Sequence, residues 1–426
     1  MDQEALGRAT LKKVAWKLIP FLCALYIFNI LDRANAGFAR LSMQDDLGMS
    51  QQMFDFGYGL FYIGYLLFEV PSNLLLRRFG ARRWISRIMI SWGVITCATM
   101  FVQSAGSFYL VRILLGVAEA GFFPGIILYM TYWFPERQRA KMTAYFMMAI
   151  ALASVLGNPT SGFIMQYLDS IAGLKGWQWL FLLEGIPSVI LGVLVLFWLT
   201  DRPENAQWLT TAEREWLVNR MQFEETQRQQ RHGADRLGAM LNRRVWLLIA
   251  IYFTVAVGSN ASGAYFPQLI QQQFPKSSTF EIGLLSALPH LCAAIGMVLF
   301  SLSSDRTGER RGHVAVAALT AAAGWTISAL ATSPAMALAG FCLAQLGMMS
   351  MLPIFWTLPT GFLTGAAAAG GIALINSLGN IGGFLGPTML GRFGLWAMVM
   401  NLLVGAALAM CLRRDEAATP AETVAE

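Results

Sequence analysis

"KLIPFLCALYIFNILDRANAGF" occupies residues 17–38 and decides how the rest of the chain is read. A helix rises about 1.5 Å per residue, so roughly 20 mostly apolar residues cross the hydrocarbon core of a bilayer. This stretch is long enough, yet near its far end it carries Asp32 beside Arg33. A charge at mid-bilayer costs about 2.5–3.5 kcal/mol on insertion scales. Two adjacent charges therefore call for partners elsewhere in the chain.

The same apolar pattern recurs along the sequence, near 54–76, 84–103, 108–133, 142–166, 178–200, 244–270, 281–302, 313–332, 335–357, 366–389 and 393–412. Of 426 residues, 56% are hydrophobic and only 13% are charged, which excludes a single soluble domain. Without water in the bilayer core each backbone group must be satisfied within its own segment, so the spans are helices. The expected fold class is an all-α membrane protein of twelve transmembrane helices, with the lipid bilayer as its solvent. The first run is not a cleavable signal: it is ionisable at one end and lacks a small-residue cleavage site.

The net charge of +6 is not a nucleic-acid footprint, because its distribution is that of a membrane protein. Lys12, Lys13 and Lys17 precede the first span, Arg77, Arg78, Arg82, Arg83 and Arg87 follow the second, and Arg306, Arg310 and Arg311 follow the eighth. The intervening loops hold almost none. By the positive-inside rule both termini are cytoplasmic and the protein is a multi-pass component of the cell membrane. The five cysteines form no C-x-x-C pair, and His232, His290 and His313 are too dispersed for a metal site. No phosphate-binding glycine loop, nucleophile elbow or zinc spacing is present, so neither an enzyme nor a cofactor is expected.

The connection 201–243 is the one long polar segment inside the chain, and it reads as an amphipathic helix followed by a flexible stretch. It separates a six-helix half, 1–200, from a second, 244–412, and a cytoplasmic tail follows at 413–426. The loop after the second span, "RRFGARRW", places Gly80 before Arg82. The loop after the eighth, "DRTGERRG", holds Asp305, Arg306 and Gly308. Matched loops at the same place in each half indicate an internal repeat, as in many secondary transporters.

Depth can be counted along each helix. Asp32 falls about 9 Å below the outer edge of a ~30 Å core, and Arg112, on the oppositely directed fourth span, about 6 Å below it. Glu119 lies two turns deeper on Arg112's face, since i and i+7 align. The four formal charges cancel. Intramembrane ionisable groups of this kind usually mark substrate or proton paths. Glu69 and Glu184, near opposite ends of their spans, are expected to be structural or gating groups. "GFFPG" (121–125) should bend the fourth span. The glycine pairs 379/383 and 382/386 should bring helices into close contact. Asn376, His290 and Gln345 are the mid-depth polar groups of the second half, His290 on depth alone.

The stretches "LDRANAGFA", "GYLLFEVPSNLLLRRFGARRWI", "RILLGVAEAGFFPGIILYMTYWFP", "GWQWLFLLEG" and "GGIALINSLGNIGGFLGP" carry a resemblance to the major facilitator superfamily, and within it to the anion:cation symporter family. The resemblance implies a monomeric, proton-coupled importer of a small organic anion by alternating access. It implies that Asp32 and Glu119 are proton sites, Arg33 the anion's partner and Arg112 the charge balance for Asp32. It also implies substrate contacts from Tyr65, Asn376 and Trp356. The implied substrate is a sugar acid, a tartrate-like acid or an aromatic carboxylate; sugar-acid members often place an amide in the fifth span, where "FMMAIALASVLGN" offers only Ser154 and Asn158, which weakens the hexonate reading. A proton-independent uniporter or anion exchanger is the alternative, and a membrane sensor would need a signalling domain. The connection between the last two spans is unusually short for the family.

Overall fold

The computed structural model describes residues 3–231, 243–362 and 365–412, and all regular structure among them is helical. The first half contains α1 (Gln3–Asp46), α2 (Gln51–Phe79), α3 (Ala81–Ala98), α4 (Ala105–Glu119), α5 (Phe122–Trp133), α6 (Glu136–Tyr167) and α7 (Gly176–Trp198). After α8 (Thr211–Arg231) come α9 (Arg243–Gln273), α10 (Thr279–Thr307), α11 (Arg311–Ala329), α12 (Pro334–Phe355) and α13 (Thr357–Phe362). The last three are α14 (Gly365–Gly379), α15 (Ile381–Phe393) and α16 (Leu395–Met410).

Ten spans among the described residues are long and apolar enough to cross a membrane, with α4 and α5 forming one and α12 and α13 another. The segment expected as a single helix over 366–389 is α14 and α15, which meet at Asn380, a residue that keeps helical dihedrals (φ −64, ψ −12). The expected last span is the 16-residue α16. Gly394, at φ +70, makes the short turn before it. α16 packs back on α9, where Asn401 donates to the Thr254 carbonyl at 2.8 Å.

α1 is 44 residues long, about twice what the hydrocarbon core requires, so it projects beyond the apolar run. At its start Lys13 pairs with Glu213 of α8 at 2.8 Å, and Trp216 lies where a side chain on Gly7 would be. The linker is thus a helix docked on the first span. The flexible stretch expected after it (232–242) and the tail at 413–426 lie outside the described residues.

The matched loops both turn on glycine with positive φ, +87 at Gly80 and +68 at Gly308. Their caps differ. Asp201 accepts from the Arg82 amide at 2.8 Å and occupies the space beside Gly80, whereas in the second loop Arg310 reaches back to Asp305 at 2.6 Å.

The halves approach most closely at the end of the bundle opposite the chain termini. A Cβ on Gly37 would stand 2.4 Å from the Gly263 carbonyl, so α1 and α9 cross backbone to backbone. Beyond this crossing, Arg40 of α1 and Asp55 of α2 form an ion pair at 2.8 Å, almost wholly buried. Tyr265 of α9 donates to the free oxygen of Asp55 at 2.6 Å and accepts from Arg40 at 3.3 Å. Gln51 donates to both the Tyr265 hydroxyl and the Gly391 carbonyl, extending the network to α15. Arg40 lay outside the apolar run and reads as a loop residue until α1 is seen to continue to Asp46.

Breaking a buried ion pair from one side leaves an uncompensated charge, typically at a cost of 3–5 kcal/mol, whereas removing both charges often costs little. Arg40→Leu should therefore lower the melting temperature of the purified protein strongly, and the double variant Arg40→Leu/Asp55→Leu should recover most of that loss. A double variant as unstable as the single would show that packing, and not charge, holds this end together.

Candidate functional site

Asp32 and Arg33 are neighbours in sequence, but adjacent helical residues do not face the same way. Arg33 turns toward α4 and donates from Nε to Glu119 Oε1. Asn29, one turn earlier on the same face, donates to the same oxygen at 2.8 Å. Glu119 is fully buried, and its second oxygen has no partner among the described residues. Arg33 is different: its side chain keeps 29% of its surface exposed, with the guanidinium 5.3 and 5.1 Å from the ring centres of Phe61 and Tyr65.

The expected bend in the fourth span is a complete break placed directly after this glutamate. α4 ends at Glu119, Ala120 is extended, and Gly121 takes φ +86 before α5 begins. A Cβ on Gly121 would lie 2.4 Å from Ser72 Oγ, so both conformation and space demand glycine. The Glu119 carboxylate thus sits at a helix C-terminus, where the backbone dipole presents its negative end. Arg33 supplies the charge that offsets it.

Asp32 points away, into the first half. Trp92 of α3 and Ser188 of α7 donate to its Oδ2 at 2.5 and 3.0 Å. The expected pairing of Arg112 with Asp32 is not formed. Arg112 faces α2, donates to the Tyr58 carbonyl at 3.3 Å and packs on the Tyr58 and Phe61 rings. Among the described residues it has no carboxylate at ion-pair distance. The expected depths change too. Because α1 runs to Asp46, Arg33 lies deeper than counted and is level with Glu119, which the count had set two turns below it. Glu184 is buried near Asp32's side of the bundle and accepts from Ser161 at 2.8 Å.

Among the described residues, Arg33 is the one Arg, Lys, Asp or Glu lining a cavity of about 240 Å³ between the halves. Of the other residues singled out in the sequence, Tyr65, Trp356 and Asn376 line it, whereas Asp32, Glu119 and Arg112 stand behind its wall. Ser154, Asn158, His290 and Gln345 line it as well, and Tyr62 and Asn260 bond to each other across it. Trp356 packs edge-on against Tyr252, 5.0 Å between ring centres, at the junction of α12 and α13. Asn376 is already engaged. Its Nδ2 donates to Glu69 Oε1 at 2.8 Å, its Oδ1 accepts from Tyr252 at 3.4 Å, and neighbouring Ser377 donates to Glu69 Oε2 at 3.0 Å. Glu69, placed near one end of its span by counting, is therefore a buried bridge from α2 to α14. The loop residues Gly80, Arg82, Asp305, Arg306 and Gly308 are remote from the cavity, at the terminus-bearing end.

Sequence reading missed Asn29, Trp92 and Ser188. The first had a signal, the i, i+4 spacing that puts Asn29 on Arg33's face. The other two come from distant helices and had none.

The sequence pattern of the Major Facilitator Superfamily matches residues 22–387. The chain is 48% identical over 419 residues to a putative tartrate transporter of Agrobacterium vitis, covering 96% of this chain and 92% of that one. It is 43% identical over 385 residues to the putative metabolite transport protein NicT of Pseudomonas putida, covering 90% and 88%. Among solved structures, its fold superposes on a bacterial homologue of the human lysosomal transporter Spinster, inward-facing and occupied, with a TM-score of 0.74 at 17% identity, over 95% of this chain and 98% of the other. A D-xylose-proton symporter gives 0.73 at 17% identity, over 95% and 99%. The chain belongs to the Major Facilitator Superfamily, among transporters of the anion:cation symporter type. It is a multi-pass membrane transporter and not an enzyme.

The Glu69–Asn376 bridge generates a stability test. Asn376→Ala leaves a buried carboxylate oxygen unpaired and should cost about 1–3 kcal/mol. In a double-mutant cycle with Glu69→Ala the two losses should fall well short of additive, read from thermal unfolding of purified protein. Additive losses would mean that the two side chains act independently.

Proposed function

We propose that the protein imports a small organic anion, a tartrate-like or related carboxylate, together with protons by alternating access. The observation that carries this reading is the divided environment of Arg33. One guanidinium nitrogen is held by a sealed glutamate, and the rest of the group faces a cavity between two helical halves. A guanidinium fork suits a carboxylate gripped at two points. The cavity is small beside the roughly 300–1,000 Å³ of sites for drug-sized ligands, which suits a compact solute. Relatives named as tartrate and metabolite transporters point the same way.

Coupling follows from the ion pair. An anion that takes Arg33 withdraws the counter-charge from Glu119, and a buried carboxylate without a partner is costly enough that it takes a proton instead. Anion and proton then bind together, and the centre they leave is neutral enough to reorient between the halves. Asp32, one residue away and sealed on α3 and α7, is the second proton site, and Arg112 contributes positive charge to the cluster without touching it. Tyr65 and Trp356 pack on the bound solute, and Asn376 exchanges its contacts for a substrate hydroxyl. In this reading α14 with α15, and α16, complete twelve spans in two six-helix halves. The chain works as a monomer in the cell membrane, with both termini in the cytoplasm and no cofactor.

Glu119→Gln imitates the protonated acid. It should abolish uncoupler-sensitive accumulation of labelled substrate in proteoliposomes while counterflow exchange persists. Accumulation at the wild-type level would remove Glu119 from the coupling scheme and favour a uniporter or exchanger.

Arg33→Lys keeps the charge but loses the planar fork, and should weaken substrate affinity at least tenfold by calorimetric titration. Wild-type affinity in this variant would place the anion elsewhere in the cavity.

A further inference from the structure

We infer that His290 and Gln345 form a second anion subsite, on the wall opposite Arg33, which holds the far carboxylate of a dicarboxylic acid. The inference rests on the organic-anion reading above and deepens it. His290 belongs to α10 and Gln345 to α12, and both line the cavity. Counted at helical rise, each lies about 16 Å from the start of its helix at the end opposite the chain termini. Arg33 lies about 20 Å from the same end of α1. The two walls of the cavity thus present their polar groups within a turn of one level.

The side chains are set for this task. Gln345 is 1% exposed, its Nε2 lies 3.3 Å from His290 Nδ1, and its Oε1 has no partner among the described residues. With the amide donating to Nδ1, the imidazole proton is on Nε2. No protein acceptor among the described residues takes that proton. Phe266 packs edge-on against the ring, 6.2 Å between centres. In that tautomer the Nε2–H is a donor awaiting an acceptor; a further proton, taken up beside an anion, would enter at Nδ1, with the Gln345 amide turning its unpartnered Oε1 to receive it.

Charge decides which acceptor fits. Among the described residues the second-half wall of the cavity carries no Lys, Arg, Asp or Glu, and His290 is its one side chain able to become a cation. A monocarboxylate would satisfy Arg33 and leave this pole empty. A dicarboxylate that spans the cavity would occupy both, and in doing so would tie the first half to the second through the ligand.

The test is calorimetric titration of the full-length protein in detergent with the tartrate stereoisomers and with the monoamide of each, which is nearly equal in size but lacks one charge. Wild type should bind the best tartrate at least tenfold more tightly than its monoamide. His290→Phe, which keeps an aromatic ring against Phe266, should lose at least tenfold for the dianion and less than twofold for the monoamide. His290→Gln, a milder change, should show the same selective loss and carries the test if the phenylalanine variant lacks a melting transition. Equal affinity of wild type for both ligands overturns the subsite and leaves the organic-anion reading standing. Equal losses for both ligands in the variants, or none, also overturn it. Wild type that binds neither ligand overturns the subsite together with the tartrate-like reading on which it rests.

Discussion

The contact between Arg33 and Glu119 is the interaction around which the centre of the molecule is organised. Neither group could be kept at this depth alone, because removing a single charge from water costs several kcal/mol that only a close partner offsets. The requirement reaches outward. Asn29 must lie on the same face of α1 to complete the carboxylate's hydrogen bonding, and α4 must bring its last residue to that level. Phe61 and Tyr65 must offer their faces to the guanidinium. This shell opens on the cavity through Arg33 and Tyr65, and the role proposed for the pair rests on that opening.

Helix interruptions are the second organising device. A continuous helix buries its backbone groups and offers a ligand only side chains. The clear case is the break after Glu119, beside the charged cluster behind the cavity wall, whereas Trp356 and Asn380, at the cavity itself, keep helical dihedrals. Irregular backbone is tolerated at membrane depth only where protein or a water-filled space receives it. At Gly121 the cost is reduced by the absence of a side chain, since the chain turns through a left-handed conformation directly against Ser72.

The two networks that join the halves have different characters. At the end opposite the termini, Arg40, Asp55 and Tyr265 form a buried hydrogen-bonded cluster, joined by Gln51, over a glycine-to-glycine crossing of α1 and α9. Nearer the middle, Glu69 meets Asn376 and Ser377 through neutral donors, with the amide side chain itself bordering the cavity. The first is a charge pair that must be dismantled as a unit. The second is made of separate hydrogen bonds from neutral donors at the edge of the cavity.

The sequence by itself determined the class of the fold and the identity of the charged residues. Long apolar runs can only be helices where water is excluded, and charges within them are too costly to be incidental, so Asp32, Arg33, Arg112 and Glu119 stood out without any structure. It also marked the fourth span as bent at "GFFPG", though not as broken there. What the linear reading could not supply was direction. The ends of an apolar run do not fix the ends of a helix, so Arg40 looked like a loop residue and Arg33 was counted too near the surface. Only the tertiary structure decided that Asp32 turns to Trp92 and Ser188 while Arg33 turns to Glu119, and that Arg112 keeps to the Tyr58 carbonyl. Partners on distant helices leave no trace in local spacing. They are chosen by how the helices pack.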